Sequence, residues 1–146
     1  MTAEEMWAKF AKTAGIAPDT PYEAWAFGGA PDSLAALTLD GIKTATASAH
    51  ALYAIESEDL PQVGEYSVIL NSADRAVCVI RTTRVTVVPY DKVSAEHAYK
   101  EGEGDRSLAY WRTVHEAFFT DCLREAGLSF TPDMDVVCEE FTKVYP

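Results

Sequence analysis

The sequence predicts an α+β fold, a small β-barrel decorated by helices, with a long helix near 108–125. Three observations carry that reading. Strand-like stretches recur through the chain, interleaved with short helices but without a strand–helix–strand rhythm. One of them, Ala76–Val88, is rich in β-branched residues and long for a single strand. The chain has 146 residues, 48% of them hydrophobic and 24% charged, which is enough to bury a core in one domain and ordinary for a globule. A single domain over 1–146 is expected, with 1–20 as an N-terminal helix and extended lead-in.

Residues 2–14 read as an amphipathic helix. Thr2 caps it with Glu5 at the capping-box position, and Trp7, Phe10, Ala11 and Ala14 form its apolar face. Gly15 stops it, and Pro18 and Pro21 enforce an extended linker. Tyr22–Phe27 is expected to be extended, with Trp25 and Phe27 on one face, available for core packing or for stacking on a ligand. Pro31 opens a helix over 31–40 that turns Leu34 and Leu37 inward, and Gly41 closes it. His50–Glu58 reads as a short helix and Tyr66–Leu70 as a strand. Ala76–Val88 should bend near Thr82–Thr83 or divide in two. Ser94 caps a helix over 95–100 that delivers Glu101. Ser107 caps the long helix, whose buried stripe is read as Leu108, Trp111, Phe118 and Cys122, with Arg112 and Glu116 to one side. A closing strand runs from Val136 to Val144 or Tyr145.

Charge narrows the function. Twelve basic residues stand against twenty-three acidic ones, a net charge of -11. Long nucleic acid is held by many lysine and arginine contacts to phosphates, so a long duplex is excluded as a partner. A nucleoside or a short single strand at one pocket fits better. No apolar run is long enough to span a bilayer, and the N-terminus has no signal-peptide pattern, so no membrane partner and a cytoplasmic location are expected. Cys78, Cys122 and Cys138 are far apart and odd in number, which argues for free, buried thiols.

Two stretches stand out. In Gly41-Ile42-Lys43-Thr44-Ala45-Thr46-Ala47-Ser48 a lone lysine enters a run of small side chains and hydroxyls. Desolvation among such neighbours would lower the pKa of Lys43 and fit it to act as a base or to stabilise a developing anion. Thr46 offers a hydroxyl, and Glu101 an acid or a counter-charge. Strand alternation sets Lys43 and Thr46 on opposite faces, so they meet only if the chain turns between them. In Glu101-Gly102-Glu103-Gly104-Asp105, three carboxylates alternate with glycines. The expectation is that the two stretches face each other across one pocket. Glu101, Glu103 and Asp105 offer an alternative, oxygen ligands for a divalent metal. His97 lies one turn before Glu101, and either His97 or His115 would orient a carboxylate. No phosphate-binding glycine loop, nucleophile elbow or dinucleotide fingerprint is present, and no cofactor is expected.

Taken together, several motifs resemble the ASCH domain family, which has a PUA-like β-barrel fold. They are Trp25-Ala26-Phe27-Gly28, Gly41–Thr46, Leu60–Gly64, His97–Asp105, Ser107-Leu108, Tyr110-Trp111-Arg112, Val136–Glu139 and Phe141. The similarity spans Tyr22–Tyr145 and is greatest to a larger bacterial branch carrying the EGEGD loop. The resemblance implies a cleft for RNA or a nucleoside. A compact branch of the family hydrolyses N4-acetylcytidine to cytidine and acetate, and its catalytic Lys, Thr and Glu match Lys43, Thr46 and Glu101. Other members are single-strand ribonucleases or RNA-binding modules, and both alternatives stay open. The implied substrate-binding set is Trp25, Phe27, Thr44, Ser48, Glu103, Asp105, Trp111 and Arg112. Ser48 stands where the compact branch has an arginine, which removes a fixed cation from the expected cleft.

Overall fold

A computed structural model describes residues 1–146. Five α-helices, α1 (Ala3–Ala14), α2 (Pro31–Leu39), α3 (His50–Ile55), α4 (Ala95–Glu101) and α5 (Leu108–Glu125), surround five strands. The strands are β1 (Glu23–Ala26), β2 (Ala45–Ala49), β3 (Tyr66–Leu70), β4 (Ala76–Pro89) and β5 (Asp135–Tyr145). They form one sheet in the order β1-β3-β4-β5-β2, with β1 parallel to β3 and every other pairing antiparallel. The predicted α+β class and helix-decorated curl are present. The sheet is a curled half-barrel, however, because the edge strands β1 and β2 pair with β3 and β5 and not with each other. An open seam therefore runs between them.

Local chemistry explains the elements. Thr2 Oγ1 accepts from the Glu5 N–H at 3.1 Å, and Gly15 caps the other end of α1 at φ 69°. The buried face of α1 is Met6, Trp7, Phe10 and Ala11. Met6 takes the place expected of Ala14, which lies exposed in the last turn. Helix α2 ends in a Schellman motif: Gly41 N–H donates to Thr38 O and Ile42 N–H to Leu37 O, with Gly41 at φ 77°. Helix α3 is shorter than expected and stops at Ile55. Strand β4 stays one strand through the expected bend, which is a bulge between Thr82 and Arg84.

The sheet sorts its side chains by alternation. Val68 and Val79 pack under α1, while Ile69, Cys78, Ile80 and Phe141 pack with Phe27, Leu34 and Ala35 of the α2 side. Ala49, Val136 and Cys138 join Ala98, Trp111, Phe119 and Leu123 under α4 and α5. The buried stripe of α5 is Trp111, His115, Phe119 and Leu123, a row spaced four apart. Leu108, Phe118 and Cys122 are only half-buried at its flank. A stripe built on apolar residues alone passes over His115, which is inside because its polar atoms have partners. All three cysteines are free; Cys78 and Cys138 are buried, but Cys122 is only partly so. No helix is long and apolar enough to cross a membrane.

Candidate functional site

Lys43 is the largest of the fully buried side chains, at 1% exposure. The Schellman turn puts it there. With Ile42 and Lys43 N–H both donating to Leu37 O, the chain reaches Lys43 before β2 begins at Ala45. Lys43 thus lies outside the strand alternation that would have separated it from Thr46.

The end of α4 meets this turn directly. Thr44 N–H donates to Lys100 O at 2.8 Å. Gly102 closes α4 at φ 77°, so close that an added Cβ would lie 2.9 Å from Ile42 O. Gly102→Ala therefore combines left-handed strain with a backbone collision. We expect it to cost about 2 kcal/mol or more of stability, read as a lower urea midpoint at unchanged slope. A midpoint equal to wild type would mean that the α4 end and the Ile42 turn are not in close contact.

The two singled-out stretches thus face each other, and their charges meet. Lys43 Nζ donates to Glu101 Oε1 at 3.3 Å and to Glu103 Oε2 at 3.4 Å. Glu101, also 1% exposed, is ringed by donors. Its Oε2 accepts from Trp111 Nε1 at 2.6 Å and lies 2.9 Å from His97 Nε2, while His115 Nε2 is 3.5 Å from Oε1. Burial pushes the Glu101 pKa up. The charge of Lys43 and the bonds from His115 and His97 outweigh burial and hold the carboxyl well below the usual range. His97 is itself anchored by the Ser94 cap, and His115 Nδ1 donates to Trp111 O at 2.8 Å. Lys43 also lies 5.1 Å from the Phe27 ring centroid, within cation–π range.

A cavity of about 200 Å³ opens on this cluster; Lys43, Thr46, Glu101, Glu103 and His115 are among its lining residues. It shares Phe27, Gly28, Thr46, Ala47 and Phe118 with a larger one of about 750 Å³, the size of an ordinary small-molecule pocket. The larger cavity is the seam of the half-barrel. Residues of β1 and β2, each with one unpaired strand edge, form its walls, and Ser67 of β3 and Glu139 of β5 line it as well. Trp25 lines it too, with its ring edge-on to Phe27 at 4.9 Å. Ser48 sits there, bonded to Tyr53 Oη at 2.7 Å.

Four residues of the expected binding set lie elsewhere. Trp111 is 2% exposed, stacked on His115 behind Glu101, so it supports the carboxylate and has no face free for a base. Thr44 Oγ1 turns to Lys100 O at 3.4 Å. Arg112 is exposed and donates to Asp91 O. Asp105 is exposed and accepts from the Ser107 N–H at 2.9 Å, bracing the start of α5. The metal alternative changes accordingly. The groups close enough to share an ion are Glu101, Glu103 and His115, within 4.8 Å of one another, and Asp105 is not among them. The Lys43 ammonium already stands against both of those carboxylates, where its charge opposes a dication.

Glu139 was not singled out in the sequence. It was visible there: Val137, Glu139 and Phe141 alternate toward one face, and a carboxylate in such a row is a signal. Tyr53 and Phe118, set by the packing of helices on the seam, had no comparable signal.

A curled half-barrel whose open seam leads to an enclosed Lys–Glu cluster defines a pocket protein of the α+β class. The chain belongs to the ASCH domain family, whose model matches residues 23–145. It is similar to the ASCH domain of Lactobacillus crispatus JV V101, known from a high-resolution crystal structure. Identity is 32% and the TM-score 0.86, over 97% of this chain and 96% of that one. It is also similar to the crystal structure of a protein from Enterococcus faecalis V583, with 36% identity and a TM-score of 0.87, over 97% of this chain and 87% of that one. Such coverage takes in the N-terminal helix, which lies outside the matched family segment. No curated protein matches the chain.

Proposed function

We propose that this protein is an amidohydrolase acting on a small acylated nucleoside such as N4-acetylcytidine, releasing cytidine and acetate. One observation carries the reading: Lys43, Thr46 and Glu101 line the same small cavity, and Thr46 also lines the larger one, which has room for a nucleoside. The Thr46 hydroxyl makes no hydrogen bond within the protein, so it is free to attack the acyl carbon or to hold the water that does. Lys43 is positioned to stabilise the oxyanion. Lys43 Nζ and Glu101 Oε1 stand 3.3 Å apart and form one buried ion pair. That pair takes the proton lost by the attacking hydroxyl or water and returns it to the leaving exocyclic nitrogen. Where Thr46 is the nucleophile, a water then cleaves its acetyl ester to acetate and restores the hydroxyl.

The test is chromatographic release of cytidine from N4-acetylcytidine. Wild type should turn it over. Thr46→Val keeps the shape of a half-buried side chain and should lose about 100-fold or more in kcat/KM at an unchanged melting temperature. No release by wild type sinks the reading, and full activity in Thr46→Val removes the hydroxyl from it.

A further inference from the structure

The larger cavity carries information that the Lys–Thr–Glu cluster does not. Among its 17 lining residues are five carboxylates, Glu23, Glu58, Asp59, Glu65 and Glu139, and not one lysine, arginine or histidine. Glu23, Glu58 and Asp59 are exposed and Glu65 is half-buried. Glu139 is different. It is 8% exposed, and in the β2–β5 register it is paired with Thr46, so the two side chains rise from the same face of the sheet. Its Oε2 accepts from Thr82 Oγ1 at 2.7 Å, and its Oε1 has no partner in the protein. The bulge in β4 supplies that Thr82 contact. A buried carboxylate with one oxygen committed and the other facing a cavity is an acceptor waiting for a donor.

We propose that the seam cavity is a subsite for the phosphate-free body of the ligand, a nucleoside and not a nucleotide or RNA strand, and that Glu139 accepts hydrogen bonds from that ligand's hydroxyl or amine donors. The choice of a nucleoside rests on the amidohydrolase reading; the exclusion of phosphate rests on the cavity itself. Repulsion does the excluding. A phosphate entering the seam meets five carboxylates and no fixed cation, in a cleft whose protein walls strengthen each term relative to open water. The free edges of β1 and β2 add backbone donors and acceptors, and Trp25 offers a face for a base. Burial raises the pKa of Glu139, the Thr82 bond opposes this, and Glu65 and Glu23 add to the rise. Accepting a ligand N–H or O–H would give Oε1, which meets only solvent in the cavity, a fixed donor.

The experiment is calorimetric titration of cytidine and of cytidine 5′-monophosphate into the full chain, at low and at moderate salt. Wild type should bind cytidine, and bind the monophosphate about tenfold or more weakly, with the gap shrinking as salt rises. Glu139→Gln should weaken cytidine about tenfold, and in turnover of N4-acetylcytidine the loss should fall on KM and not on kcat. Glu58 and Asp59 lie exposed in the loop after α3. The double change Glu58→Gln, Asp59→Asn should therefore narrow the gap between the two ligands about threefold without threatening the fold. The proposal is overturned by a monophosphate that binds as well as cytidine, by absence of cytidine binding, or by a Glu139→Gln protein that binds like wild type. A kcat loss at constant KM also overturns it, since that assigns Glu139 to the chemistry. Cytidine binding without N4-acetylcytidine hydrolysis would sink the amidohydrolase reading and leave the subsite standing.

Discussion

Lys43→Ala is expected to lose both turnover and much of the stability of the protein. Lys43 and Glu101 are each 1% exposed and 3.3 Å apart. Removing one member of a buried pair leaves the other's charge enclosed, a cost of about 3–5 kcal/mol. For a chain of this length that corresponds to a melting temperature lower by about 10 °C or more. Alanine also deletes the stem that carries the ammonium to 5.1 Å from the Phe27 ring centroid. Lys43→Met restores most of that volume without the charge, so the difference between the two variants separates packing from electrostatics. Activity should be absent in both below their melting temperatures. The pairing itself is measured by a cycle with Glu101→Gln, in which the double variant should be more stable than the sum of the single losses predicts. A Lys43→Ala protein that melts within about 2 °C of wild type would show that the pair does not hold the two stretches together.

Much of this site could be read in the chain before its structure. Gly41 and Ser94 are local signals, a helix stop and a helix cap, and each acts within one turn of itself. Together they deliver Lys43 and Glu101, which is why these two and Thr46 were legible. The one apparent obstacle, strand alternation, disappeared because β2 starts two residues after Lys43. What failed to show depends on contacts between distant segments. Trp111 reads in the sequence both as part of the buried stripe and as a substrate-binding residue, and only the approach of α5 to α4 makes it a buried donor for Glu101. Asp105 looks like a third ligand of an acidic loop, but Ser107 claims its carboxylate two residues on. The barrel was inferred, and its open seam was not. Strand number and pattern are sequence properties, whereas whether β1 and β2 meet depends on how far the whole sheet curls.

Glu101→Gln should be as damaging as the loss of Lys43, although it is nearly isosteric. Each carboxylate oxygen faces a group that can only donate, Lys43 Nζ at Oε1 and Trp111 Nε1 at Oε2, with a histidine beside each. An amide must turn its NH₂ toward one of those sets, and there donor meets donor. Lys43 meanwhile keeps only Glu103 as a counter-charge. We expect a loss of about 3–5 kcal/mol at neutral pH. The pH dependence identifies the cause. The folded pKa of Glu101 lies well below its ordinary value, whereas in the unfolded chain it is about 4.3. Its ionised form therefore contributes stability that is fully present above the unfolded pKa and lost as pH falls through the folded one. Glutamine has no such dependence. The stability gap between wild type and Glu101→Gln should be widest near pH 7, begin to close below about pH 4, and narrow further with added acid. Urea unfolding of both proteins from pH 7 to about pH 3 measures it. A gap that stays constant across that range would mean that the variant is weakened by packing alone, and that Glu101 is not the ionised centre on which Lys43, His97, Trp111 and His115 converge.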